Sequence, residues 1–442
     1  MIMSRRILHS VILSVLLAAG AAVSASGQTT GTYTPYSIYG VGDLSQPGSA
    51  YSKTMGGAGV ALRNNRYLNL INPAAVTARD SLAFMADFSL YNDNKMFQQA
   101  GIKSASNTFN INDLAMSFPI WRKSAMMVGI MPYSDTGFGY SFYYTDPQLI
   151  GQTGNITYSA TGTGSIYKAF AAAGVTLFKH LSLGVQWNYY FGKVDKVYAT
   201  TFNDASYNGI LNGTSSNVTG NGFKFGVQYE QPVGTKHALT VGATYSLPVK
   251  LRGTVESYRY SAGSAVSDTL YYKMDHLGLD SKVELPSEIA VGISFQERGR
   301  WVATFDYSRS DWRRSGLDDA RGFTASSLFT SSVAQTFRAG FEIVPNRNDI
   351  RYYFNHVAYR VGAYHKKEYF LLDGKQVAST GITLGVTLPI LNGYINSNNG
   401  FTVGIDLGQR GALNGEMVRE RYVNISLGFN LFDIWFRKPQ YE

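Results

Sequence analysis

The chain has no cysteine among its 442 residues, which removes disulfide scaffolds, thiolate metal sites and cysteine nucleophiles together. Charge is scarce too: Asp, Glu, Lys and Arg make up 16% of the residues, against about 25% in an ordinary soluble domain. After residue 25 no run of 18 apolar residues occurs, so membrane-spanning helices are not expected in the mature chain. The formal net charge of +9 is modest and spread along the chain, and it points to no nucleic-acid partner. His180, His237, His276, His356 and His365 lack metal-ligand spacing, no serine sits in a nucleophile elbow, and the Gly-rich stretch at Gly56 neither follows a strand nor completes a dinucleotide fingerprint. No enzyme, cofactor or metal site is expected.

What is present is aromatic and glycine-rich: 14% Phe, Trp and Tyr, with 31 Tyr and 46 Gly. Arg5 and Arg6 precede an apolar run from Ile7 to Val23 that ends in small residues, the pattern of a signal peptide over 1–25; a retained helical anchor is the other reading. Without a cysteine after that run, an N-terminal lipid anchor is excluded.

From Ser81 onward apolar and polar residues alternate with a period of two. In one stretch Leu181, Leu183, Val185 and Trp187 oppose Ser182, Gly184, Gln186 and Asn188. Phe223, Phe225 and Val227 oppose Lys224, Gly226 and Gln228. The pattern recurs at Ile289 to Phe295, Ile382 to Leu388, Phe401 to Leu407 and Val423 to Leu431. Successive strand residues point to opposite faces, so these are strands with one greasy and one polar side. Two architectures make them, a secreted sandwich and an outer-membrane barrel, and they differ in whether the greasy side meets a core or lipid. Strands of about ten residues match tilted membrane strands, and aromatic clusters such as Tyr143-Tyr144, Tyr189-Tyr190-Phe191 and Tyr352-Tyr353-Phe354 match interfacial girdles. The expected fold is an all-β transmembrane antiparallel barrel over 81–436, of fourteen to sixteen strands, with a short tail at 437–442. The polar segments near 145–164, 202–221, 261–273 and 309–332 are the expected outer loops.

Residues 26–80 do not alternate. A barrel this wide would hold water unless something filled it. Gly56, Gly57 and Gly59 permit close packing and positive φ, Asn72-Pro73-Ala74 reads as a turn, and the segment is expected to be a plug inside the lumen.

The succession "YSKTMGGAGVAL", "NLINPAAVT" and "DSLAF" resembles the N-terminal hatch of the FadL/TodX family of outer-membrane hydrophobic-compound transporters, particularly its Bacteroidetes relatives. The C-terminal "ERYVNISLGFNLFDIWFRKPQYE" is similar to the ends of such proteins. The resemblance implies a fourteen-stranded barrel, a gating hatch, passive uptake of apolar molecules such as long-chain fatty acids, and sideways release into lipid. A kinked strand at Pro132, Gly137 and Gly139 is the candidate for the wall gap; an ordinary turn between strands is the competing reading. The resemblance also implies a second role, since some FadL-like barrels, PorV among them, are partner subunits of protein secretion machines.

Parity places Lys224, Arg338 and Arg360 on the polar face, with Glu230, Glu342 and Asp406 as possible partners. They either meet a ligand carboxylate or pair with one another and with the plug. Arg63 and Arg66 read as latches between plug and wall.

Overall fold

Alternating residues cannot bury one face unless their strands pair side by side, and in the computed structural model they pair around a complete circle. The structure describes residues 31–434 other than 81, 122, 145, 152–153, 205, 263–268, 275–282, 321, 324–327, 391–398 and 416. Among these, fourteen wall strands follow in antiparallel order. They are β1 (Ala83–Gln99), β2 (Ile102–Trp121), β3 (Ser124–Tyr144), β4 (Ile156–Leu177), β5 (Leu181–Phe202), β6 (Gly209–Val233) and β7 (His237–Ser246 and Arg252–Ala262). After these come β8 (Thr269–Met274 and Glu288–Glu297), β9 (Trp301–Asp311), β10 (Phe329–Ser331 and Val333–Ile343), β11 (Ala358–Leu372), β12 (Lys375–Pro389), β13 (Gly400–Arg410) and β14 (Arg419–Ile434). β14 pairs back onto β1, with Ala83 opposite Ile434 and Gln98 opposite Arg419, so the sheet closes and leaves no outer edge strand.

The greasy faces point outward as the alternation requires. Leu183, Val185 and Trp187 are exposed while Ser182, Gln186 and Asn188 are buried, and Val423, Ile425 and Leu427 alternate with buried Asn424 and Ser426 in the same way. An apolar exterior of this extent is lipid-facing. Three expected outer loops prove shorter, the one near 261–273 because β7 runs to Ala262 and β8 begins at Thr269. Residues 156–164 belong to β4 and 209–221 to β6, which runs for 25 residues. Their Thr, Gly, Ser and Asn content hid them because a strand that projects past the bilayer has no lipid to demand apolar side chains. Tyr190 of the expected girdle cluster faces inward, as its place on the polar side of the alternation with Ser182 and Asn188 requires, and packs edge-on against Tyr133, with ring centroids 5.0 Å apart.

At the end of the wall where Ala83 and Ile434 lie, β2–β3, β4–β5, β6–β7 and β8–β9 are joined by tight turns, as periplasmic turns are. At the opposite end the lumen is filled by an apolar core. Leu247 to Leu251 breaks β7, and its Val249 and Leu251 turn inward to meet Leu285, Trp312, Leu317, Phe323, Tyr369 and Phe370.

Candidate functional site

The described part of the N-terminal segment, residues 31–80, lies against the inner face of the wall. Its loop at Gly56 has φ +68°, a conformation that favours glycine. There the backbone lies so close to β10 and β11 that a Cβ would come within 2.6 Å of the Ala363 carbonyl. The wall answers with glycines of its own. Gly174 and Gly184 meet Pro73, Gly226 meets Asn72 and Pro73, and Gly242 and Gly292 meet Val60. Farther round, Gly340 and Gly362 meet Met55, Gly385 and Gly404 meet Thr54, and Gly428 meets Ala50. Cross-strand register aligns many of them, with Gly174 opposite Gly184, Gly184 opposite Gly226, Gly242 opposite Gly292, Gly340 opposite Gly362 and Gly385 opposite Gly404. The result is a belt round the lumen in which only hydrogen atoms separate wall from segment. Between two of its members, Asp306 of β9 accepts from the amides of Gly59 (2.6 Å) and Val60 (2.8 Å).

The other expected residues divide. Asn72 caps the short helix Pro73–Thr77, accepting from the Ala74 amide at 3.0 Å, and its own amide donates to the Val60 and Val227 carbonyls. Gly57, Pro73 and Ala74 are buried in the same contact surface. Arg63 donates to Ser182 and Gln228 at 3.0 Å each and sits 3.4 Å from Glu230, so it is bonded to the wall. Arg66 meets the wall through its backbone carbonyl, which accepts from Asn430. Arg360 pairs with Glu342 at 2.7 Å, fully buried, and lies over the rings of Tyr51 and Tyr67, so it holds segment to wall and faces no cavity. Asp406 accepts from the Tyr364 hydroxyl at 3.0 Å.

Pro132, Gly137 and Gly139 lie within the single strand β3, so the turn reading does not hold. Here the hydrogen-bond ladder is interrupted. β2 and β3 pair from Trp121 and Ser124 to Leu114 and Ile130, and the register stops there. The register between β3 and β4 shifts just beyond Pro132, which has no amide to donate. The β3 edge left open is taken by the N-terminal segment. Asp43 and Leu44 pair with Asp135 and Ser134, Ser45 donates to the Tyr133 carbonyl, and Thr34 donates to the Gly137 carbonyl at 2.7 Å. Asn110 of the facing β2 edge donates to the Gly31 carbonyl, so the segment lies between the two edges.

An ion cluster fastens it. Asp43 meets Arg410 at 2.8 Å and Lys95 at 3.7 Å; Lys95 also meets Asp93, and Arg410 meets Glu368 at 3.3 Å. Burial alone would raise the Asp43 carboxyl, but Arg410 and Lys95 together outweigh it and hold it at about 2.

Between the segment and the apolar core remains a cavity of about 310 Å³. Its lining mixes apolar side chains such as Met131, Val249 and Trp312 with charged ones, Lys53, Lys168, Lys224, Glu288 and Arg338 beside the Asp43 cluster. Of the three cations expected in the lumen, Lys224 and Arg338 reach the cavity and Arg360 does not. Lys168 and Glu288 were missed. Lys168 shares its inward face with Ile166 and Phe170, so the strand's two sides carry no polarity contrast to mark it.

A closed fourteen-stranded barrel whose inner face holds the chain's own N-terminal segment is the FadL/TodX type of architecture. The P. putida toluene transporter TodX aligns at TM-score 0.59 and 13% identity, over 90% of this chain and 100% of TodX. The Ralstonia pickettii toluene transporter TbuX aligns at 0.55 and 13%, over 87% and 98%, and a Pseudomonas aeruginosa FadL homologue at 0.52 and 11%, over 88% and 98%. By sequence the chain belongs to the BamG family, whose model matches residues 3–442. No curated relative matches the sequence.

Proposed function

We propose that this chain is an outer-membrane barrel that serves as a partner subunit of a protein assembly or secretion machine, with its lumen permanently plugged by residues 31–80. The observation that carries this reading is the lumen. The segment packs against the wall around most of its circumference, and the remaining space has buried charges set among its apolar lining. An apolar solute gains free energy by leaving water for apolar surroundings, but in this cavity, whose lining also includes Met131, Val249 and Trp312, it would displace water from the buried charges of Lys53, Lys168, Lys224, Glu288 and Arg338. The family match supports the same direction, since the name that spans the chain is a Bam designation and not that of a transporter. In this reading the apolar exterior and the two ends of the barrel are the surfaces open to envelope partners.

One observation favours a second reading, passive passage of small hydrophobic molecules with release into outer-membrane lipid: the ladder between β2 and β3 is interrupted where the resemblance expects a wall gap. In that case residues 31–45 would have to leave the β3 edge for each molecule released. Long-chain fatty acids belong to this reading alone.

A covalent lock separates the two. Leu44 and Ser134 are register partners, and the chain contains no other cysteine, so L44C with S134C ties the segment to the edge. In cells relying on the locked chain, the subunit reading predicts normal growth and normal outer-membrane protein content under oxidising conditions. A defect that appears on oxidation and disappears on reduction would favour the channel.

A further inference from the structure

We infer that the luminal cavity holds a binding site for a phosphate-class anion, built from Lys168, Lys224 and Arg338. The three cations come from three strands, β4, β6 and β10, and converge on one cavity. Among the described residues none of them has a carboxylate within ion-pair distance. Arg338 donates to Ser308 at 3.0 Å. Lys168 and Lys224 lie within electrostatic reach of each other and of Glu288, and Lys224 also of Arg338. Asp306 stands opposite Arg338 in register and within its electrostatic reach; one of its oxygens accepts the Gly59 and Val60 amides.

Three other buried cations of this lumen are paired, Arg360 with Glu342, Arg410 with Asp43 and Glu368, and Lys95 with Asp93, while Lys53 lies over the Tyr91 ring and Lys196 donates to the Ile38 carbonyl. Withdrawing a cation from bulk water without a partner is costly, and these three groups share the carboxylates of Glu288 and Asp306. The surplus is one positive charge, which the charge of an anionic phosphate group offsets. A guanidinium offers a fork to two oxygens of one phosphate, and two ammonium groups can meet the remaining oxygens as point charges. The cavity, about 310 Å³, is at the low end of the range for small-molecule sites. Tyr133, Tyr190 and Asn188 complete its wall on the β3 and β5 side. Arg338 also rests on the plug loop, where a Cβ on Gly57 would come within 3.4 Å of its Nε. An anion held by Arg338 would therefore brace that loop from above. The site requires neither the subunit nor the channel reading.

Two sources share this chemistry, a free phosphate compound and a phospholipid headgroup. The test uses the full mature chain folded in a neutral detergent at low ionic strength, titrated calorimetrically with inorganic phosphate and separately with dihexanoyl phosphatidic acid. Saturable one-to-one binding of phosphate is expected, weakened about tenfold or more in Lys224→Gln, as the loss of one charge-assisted contact implies, and largely retained in Lys224→Arg. Binding of the phosphatidic acid alone assigns the site to a headgroup. Should Lys224→Gln fail to fold, judged by gel mobility before and after heating, Lys168→Gln is read in its place. Absence of binding by both probes, or binding that neither Gln substitution alters, overturns the inference.

Discussion

Single atoms set the fit between segment and wall. A Cβ at Gly362 would overlap the Gly56 amide and the Met55 backbone, so Gly362→Val must push the loop off the wall. Overpacking of this kind costs about 1–3 kcal/mol, and the expected outcome is an intact barrel whose N-terminal segment becomes sensitive to trypsin at Lys53 and Arg63. Unchanged protease resistance would contradict the close approach. Asp43 makes a prediction about pH. Its carboxyl is held at about 2, below the ordinary 3.8, so it stabilises the fold above pH 4 and the benefit is lost as pH falls through the folded value. A shift of that size corresponds to about 2 kcal/mol. Hydrogen exchange at residues 32–45 should therefore rise between about pH 4 and pH 2 in the native chain, and Asp43→Asn should exchange faster throughout with no step in that window. An equal step in both would place the transition on another group. Part of this scale was legible in the sequence: Gly56 as a positive-φ position and Arg63 as a wall contact follow from residue type, while Asn72-Pro73, expected as a turn, is the cap and first residue of a short helix. The wall glycines were visible only as polar-face members of their strands, because their role depends on what lies across the lumen from them.

Elements show where alternation informs and where it does not. β5, β12, β13 and β14 were legible because lipid on one side and a polar lumen on the other impose opposite demands on neighbouring residues. β4 was harder, since its inward Ile166 and Phe170 pack in apolar clusters inside the barrel. β3 looked irregular at Pro132, and the structure gives the physical form of that irregularity: a continuous strand that changes partners, from β2 below Ile130 to the N-terminal segment above it. If that pairing is a stable element, L44C with S134C should oxidise spontaneously and nearly completely in the folded barrel. A control pair, Leu44→Cys with Ser124→Cys, should stay reduced, because Ser124 sits at the far end of the same strand, paired with Trp121. Equal crosslinking in both would mean that the segment wanders in the lumen.

The whole molecule combines a wall of common architecture with a lumen of particular chemistry. Likeness to TodX, TbuX and a FadL homologue at 11–13% identity establishes the fold, and function has to be argued from the site built on it. That site is a segment fastened by a glycine belt, by Asp306 and by the Asp43 cluster, beneath a charged cavity that an apolar core closes at the other end. Such a lumen suits a barrel whose work is done by its surfaces. The most direct measurement is native mass spectrometry, with lipid extraction, of the protein released from membranes in mild detergent. The account predicts a complex containing other envelope proteins in fixed stoichiometry, with no fatty acid or hydrocarbon retained in the barrel. A solitary barrel carrying one apolar molecule would contradict it and establish the channel.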